Sequence, residues 1–220
     1  MIASSLLLKT GSGLQIDFLL HLLSQGITMS DQHLIEKTIT SEQVFAGNFM
    51  RVYRDSVELP NGKTSTREYI RHSGAVAILA LDDEQNLIME RQYRHPVGRV
   101  IYEIPAGKLD LNEDELSCGR RELVEETGYV ASDCRVIEDV LCLDPGLSNA
   151  TMNYCLVNVD GSDPRNINPV PDLQDEECIQ VHLFPLGKDL YSRISQFCQE
   201  HKMIMDARLA SFAFGLSFTI

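Results

Sequence analysis

The chain has 220 residues, 44% of them hydrophobic, which is enough to bury a sizeable core. Its formal net charge is −13, and it lacks the clustered Lys and Arg that phosphate-backbone contacts require, which argues against nucleic acid as a bulk partner. Six scattered cysteines, none of them in a CxxC, point to free buried thiols in a reducing, cytoplasmic compartment rather than to a disulfide framework or a zinc site.

Residues 1–28 carry apolar runs, but Lys9, Asp17 and His21 interrupt them, no basic stretch precedes them, and no uninterrupted apolar run is long enough to span a membrane. Three readings of this extension stand: an amphipathic helix, a targeting segment, or sequence upstream of a start at Met29. Residues 29–220 are read as one domain, because no Pro/Gly/Ser-rich linker divides them. From Ile35 the pattern turns to short strands, KTITSEQVFAG, FMRVYRDSVELP and STREYIRHS, with Asn61-Gly62 marking a hairpin between the last two. AVAILAL and LIMERQYR form a second hairpin around the turn at Asp82 to Asn86, and the continuous apolar run of the first suits a buried strand. VIYEIPAGKLD then leads into a helix expected from Glu113 to Thr127. RVIEDVLCL, MNYCLVNVD and ECIQVHLFPL read as further strands, followed by helices from about Lys188 to His201 and Asp206 to Phe218. Strands with only two or three helices and no regular βαβ rhythm indicate an α+β fold.

Most of the chemistry lies in residues 107–129, GKLDLNEDELSCGRRELVEETGY. At about 100° per residue, Glu122 and Glu126 are (i, i+4) neighbours and Glu125 falls in the same sector, so three carboxylates crowd one helix face. Like-charge repulsion makes such crowding costly unless cations are present, and hard oxygen ligands favour Mg²⁺ or Mn²⁺. Arg121, four residues before Glu125, is placed to hold that carboxylate, and Gly128 is placed to cap the helix in left-handed geometry. Taken alone, RRELVEE also fits an ordinary solvated helix face. The flanks decide the matter: Gly107, Glu113 and Arg121 complete the pattern G-x5-E-x7-R-E-U-x-E-E-x-G-U, where U is a bulky aliphatic residue.

This pattern resembles the signature of the Nudix hydrolases, departing only in Tyr129 at the last aliphatic position. Outside it, Glu90-Arg91-Gln92-Tyr93-Arg94, Glu103-Ile104-Pro105-Ala106-Gly107 and Asp144-Pro145-Gly146-Leu147-Ser148-Asn149 are similar to segments of the ADP-ribose (ADP-sugar) pyrophosphatase branch. The resemblance implies an α/β/α sandwich with a mixed central sheet and an N-terminal antiparallel sheet. It also implies Mg²⁺-dependent hydrolysis of ADP-ribose to AMP and ribose 5-phosphate, with Mn²⁺ able to substitute, by a homodimer that shares its active sites. Metal would be held by Glu122, Glu126, Glu125 and the carbonyl of Ala106, while Glu113 would support the loop instead. The catalytic residues would be Glu177, Glu125 and Glu176, with Glu177 or its neighbour Glu176 as the base or orienting group, because metal-bound helix glutamates are poor free bases. Substrate contacts would come from Arg67, Glu68, His72, Arg94, Lys108 and the Asp144-Pro145-Gly146 turn, with Phe49 either an aromatic face for the base or a core residue. Arg67 stands where some relatives carry an aromatic residue, and His72 where some carry arginine. Other readings are a diphosphatase for another nucleoside diphosphate sugar, such as ADP-glucose or GDP-mannose, and a non-catalytic ADP-ribose sensor. The sensor would lack glutamates that are present here, and an RNA-end hydrolase is disfavoured by the acidic charge.

Overall fold

A computed structural model describes residues 29–218; the extension 1–28 lies outside the described residues. Contacts group the chain into two compact units that meet between Ile70 and Arg71, inside what the sequence presents as one unbroken domain. Composition does not mark this boundary. It arises because the first three strands pair among themselves in a sheet of their own.

In the first unit a 3-10 turn at Met29–Leu34 precedes β1 (Lys37–Ala46), β2 (Arg51–Glu58) and β3 (Thr64–Arg71), in that spatial order. β1 and β2 run antiparallel, with register shifts between Thr38 and Thr40 and between Gln43 and Phe45. The expected Asn61-Gly62 turn closes the next hairpin, with Gly62 at φ 78° and its amide donating to the Leu59 carbonyl at 2.9 Å. A left-handed φ is what makes glycine the fitting residue there. Phe49 precedes β2 instead of lying within it and is 78% exposed, so the core alternative does not hold: a bend at 48–49 takes it off the pleated strand.

The second unit is an eight-stranded mixed sheet between helices. Its strands are β4 (Ala75–Leu81), β5 (Asn86–Arg94), β6 (Arg99–Glu103), β7 (Ala106–Lys108), β8 (Asp133–Cys142), β9 (Thr151–Asn158), β10 (Ile179–Pro185) and β11 (Ile204–Met205). The main path runs β11-β6-β5-β4-β9-β8, with β10 added to β5 and β7 to β4. The β4–β9 and β6–β11 pairs are parallel, whereas β5 pairs antiparallel with β4, β6 and β10.

β4 shows why this segment had to be buried. Val76, Ile78 and Ala80 point to one face and pack with Cys118 and Leu123 of α1 (Glu115–Thr127), together with Ile88. Ala75 and Ala77 point to the other face and pack with Leu190 and Ile194 of α2 (Leu190–Glu200) and Leu209 and Ala213 of α3 (Ala207–Ser217). A strand covered on both faces can carry an uninterrupted apolar run, and each fully buried aliphatic side chain stabilises by roughly 1.5–3 kcal/mol. Among the described residues, no helix is long and apolar enough to cross a membrane.

The helix carrying the glutamates begins two residues later than the sequence indicates. Asp114 is its N-cap and accepts from the Ser117 amide, which leaves Glu113 outside the helix and free to turn back onto the loop. At the other end Gly128 adopts φ 76° and donates to the Val124 carbonyl, as expected; a Cβ there would lie 2.4 Å from the Val170 backbone nitrogen.

Candidate active site

Arg121 organises the half-buried carboxylates of α1 and of the loop before it. Its Nε and Nη2 each donate to Glu113 at 2.8 Å, and its Nη1 donates to Glu122 at 2.8 Å and to Glu125 at 2.9 Å. A further Nη2 contact, 3.1 Å, reaches the Lys108 carbonyl and ties the helix to the end of β7. The planar guanidinium has five N–H groups in a fixed fork, which is why one arginine can serve three carboxylates and a carbonyl. These bonds hold the Glu113 carboxyl down at about 2 and raise the proton affinity of Arg121, with Glu113 the largest contributor.

Glu126, and Glu122 on its side away from Arg121, face inward. Glu126 is 6% exposed and accepts from the Ala106 amide at 3.0 Å. Burial pushes its proton affinity up and Glu122 adds to this, while the Ala106 amide works the other way. Glu122 is raised by burial and lowered in turn by Arg121. It lies against β7 so closely that a Cβ at Gly107 would fall 1.7 Å from its carboxyl carbon. The absent side chain at Gly107 is therefore what makes room for the Glu122 carboxylate.

Glu177 presses electrostatically on both Glu122 and Glu126. Its carboxylate accepts from the Gln174 amide at 3.0 Å, and its own amide donates to the Gln174 carbonyl, so a tight turn fixes it. That loop is anchored to the helix by the Asp172 amide, which donates to the Glu125 carbonyl at 2.9 Å. Glu176, its exposed neighbour, is not tied into these bonds.

On the sheet side, Arg94 Nε donates to the buried Glu103 at 2.8 Å, and its charge acts on Glu126, so it too belongs to this cluster. His72 donates through its amide to Asn149 at 2.7 Å and accepts from the Gly74 amide at its ring Nδ1. Burial lowers its proton affinity, and the nearby Lys108 charge lowers it further. The Asp144-Pro145-Gly146 turn is closed by the Leu147 and Ser148 amides, which donate to the Asp144 carbonyl at 3.0 and 2.9 Å. Asn149 therefore brings this turn beside His72. Arg67 and Glu68 lie on β3 of the first unit, where Arg67 pairs with Glu36 and Glu68 with Arg54 at 2.8 Å.

Three further residues complete the cluster that the signature does not name: Glu90, Glu103 and Arg208. Arg208 Nη2, from the first turn of α3, reaches Glu103 at 3.3 Å, and Glu90 stands opposite Glu103 across the β5–β6 ladder. Acidic residues inside apolar strands were the signal for the first two. Arg208 carries no comparable signal.

Among the described residues, no three carboxylate, imidazole or thiolate side chains converge at ligand distance as they stand. Arg121 holds Glu122 and Glu125, and Glu126 is turned onto the Ala106 amide. The residues nevertheless fit a hard divalent cation. The donors are all oxygen, they are crowded and partly buried, and Gly107 leaves space for one of them.

The family model described as the NUDIX domain matches residues 71–195, and the nucleoside diphosphate sugar hydrolase N-terminal domain matches residues 36–70. The chain belongs to the Nudix family. The family boundary coincides with the division between the two compact units. An ADP-ribose pyrophosphatase of Bacillus subtilis (strain 168) is 54% identical over 98 residues, 44% of this chain and 53% of that protein. The chain thus spans about half the length of that relative. An ADP-sugar pyrophosphatase of Mus musculus is 30% identical over 191 residues, 81% of this chain and 86% of that protein. A solved structure described as an ADP compounds hydrolase covers 83% of this Nudix chain and 91% of its own, with a TM-score of 0.64 and 22% identity, a likeness of fold. Nudix hydrolases generally use divalent cations.

Replacing Gly107 by Ala places a methyl group on the Glu122 carboxyl, the movable end of a side chain, so the loss falls on the site and not on the fold. Calorimetry on Gly107→Ala is expected to show Mg²⁺ or Mn²⁺ affinity reduced by about 10-fold or more, with a nearly unchanged melting temperature. Glu113 sets an acid limit. Its folded value of about 2 lies below the ordinary 4.5, so the stability it contributes is present above 4.5 and is lost as pH falls from there towards 2. Thermal melts across that range are expected to show a shallower decline in Glu113→Gln than in the unchanged protein.

Proposed function

We propose that this Nudix protein is a Mg²⁺-dependent hydrolase, with Mn²⁺ able to substitute, that cleaves the diphosphate of ADP-ribose to AMP and ribose 5-phosphate. The observation that carries this reading is the inward-facing pair Glu122 and Glu126, seated against Gly107 and the Ala106 amide with Glu177 within electrostatic reach of both. Water adds to one phosphorus, the bridging P–O bond breaks, and the bridging oxygen leaves on the other phosphate.

Glu122 and Glu126, with Glu125 and the Ala106 carbonyl, are the groups that would hold the ions. When bound, the metal neutralises phosphate oxygens and acidifies the attacking water. Glu177 takes that proton or orients the water; between the two acidic neighbours it is favoured over Glu176 because it is fixed by its turn and felt by both helix glutamates. Arg94 lies beside Glu126 and binds a phosphate through its planar fork. His72, Lys108 and the Asp144-Pro145-Gly146 turn receive the terminal ribose, the turn offering backbone amides in a space without bulky side chains. Arg67 and Glu68 recognise the adenine end, contributed by the partner in a homodimer. Free cysteines at all six positions accord with a cytoplasmic setting.

A broader sugar range is the second reading. The mouse relative, matched over 86% of its length, is named for ADP-sugars and not for ADP-ribose alone.

The decisive variant is Glu126→Gln, which keeps shape and volume while removing one inward charge. It is expected to fold with an unchanged or higher melting temperature and to lose turnover of ADP-ribose by more than about 100-fold. A near-normal rate would sink the assignment.

A further inference from the structure

Glu90 is fully buried, and neither of its carboxylate oxygens has a hydrogen-bond partner. Buried polar groups are ordinarily paired, so one left without a partner calls for a compensating ligand or role. The neighbouring cations bond other carboxylates. Arg94 Nε donates to Glu103, while Arg208 donates to Glu103 through Nη2 and to Asp206 through Nε. Three carboxylates, Glu90, Glu103 and Glu126, thus share the field of two guanidinium groups.

Strand alternation fixes where Glu90 points. Ile88, Glu90 and Gln92 lie on one face of β5, and Ile88 packs in the same cluster as Leu123 of α1. Glu126 follows Leu123 by one helical turn, which puts it over Glu90, and it is the acidic group that acts most strongly on Glu90. Gln92 repeats the anomaly, because its Oε1 is also buried without a partner. Two adjacent side chains on one strand face therefore present acceptor oxygens beside a proposed metal ligand with no donor of the protein to meet them.

We propose that Glu90 is a positioning residue of the metal centre: its carboxylate, with Gln92 Oε1, accepts hydrogen bonds from the water shell of a divalent cation held by Glu122 and Glu126. Strand β5 and helix α1 then bind the hydrated ion between them. The proposal rests on the metal reading of the helix glutamates.

The test is calorimetric titration of the metal-free full chain with MnCl₂, comparing the unchanged protein with Glu90→Gln, Glu90→Asp and Glu126→Gln, alongside metal-free melting curves. Glu90→Gln is expected to bind Mn²⁺ about 10- to 100-fold more weakly, with a metal-free melting temperature equal to or above that of the unchanged protein. Glu90→Asp, which keeps the charge on a shorter arm, is expected to fall between the two. Unchanged Mn²⁺ affinity in Glu90→Gln overturns the proposal. If Glu90→Gln does not fold, Glu90→Asp decides in its place, and unchanged affinity there overturns it equally. Lost binding in Glu126→Gln beside intact binding in Glu90→Gln overturns the role of Glu90 alone, whereas intact binding in both removes the metal reading as well.

Discussion

The guanidinium of Arg121 is the contact on which the rest of the site depends. Glu113, Glu122 and Glu125 meet on it within a few ångströms, and carboxylates so close would repel one another without a shared cation. Because one planar group satisfies all three and also bonds the Lys108 carbonyl, the helix is locked to β7 and Gly107 is held against Glu122. Removing that charge would leave three acids to relax apart, and the loop ahead of the helix would lose its anchor at Glu113.

Beneath this surface lies a second electrostatic layer. Glu126 of α1 and Glu90 and Glu103 of the sheet share the charges of Arg94 on β5 and Arg208 on α3. The carboxylates of the outer layer share a donor of the protein, whereas the inner layer keeps acceptor oxygens that no protein donor meets. A fold that buries acids in this way loses stability to their desolvation and gains a place where a cation is strongly favoured. Function and packing are therefore in tension at the junction of β5, β7 and α1.

Much of this was readable in the sequence because it is local. The spacing of Arg121, Glu122, Glu125 and Glu126 on a helix, the cap at Gly128, and the Asn61-Gly62 hairpin each depend on a few neighbouring residues, and the structure shows all of them. Residues joined across long stretches of chain were less legible. Arg208 meets Glu103 from 105 positions away, and the apposition of Glu90 to Glu103 depends on the β5–β6 register. Phe49 read as part of a strand because its own residue type favours one, while the bend beside it is set by how β1 and β2 close. The division at Ile70 was hidden for a similar reason, since the sheet pairing that creates it leaves no trace in composition.

We propose that this arrangement cleaves a nucleoside diphosphate sugar by metal-assisted attack of water, with ADP-ribose the preferred substrate. Its most direct test is turnover of ADP-ribose beside ADP-glucose, GDP-mannose and NADH, each with Mg²⁺ and with EDTA. Mg²⁺-dependent release of AMP and ribose 5-phosphate from ADP-ribose is expected at the highest rate of the four, abolished by EDTA. Turnover that persists in EDTA, or no turnover of any of the four, would contradict it.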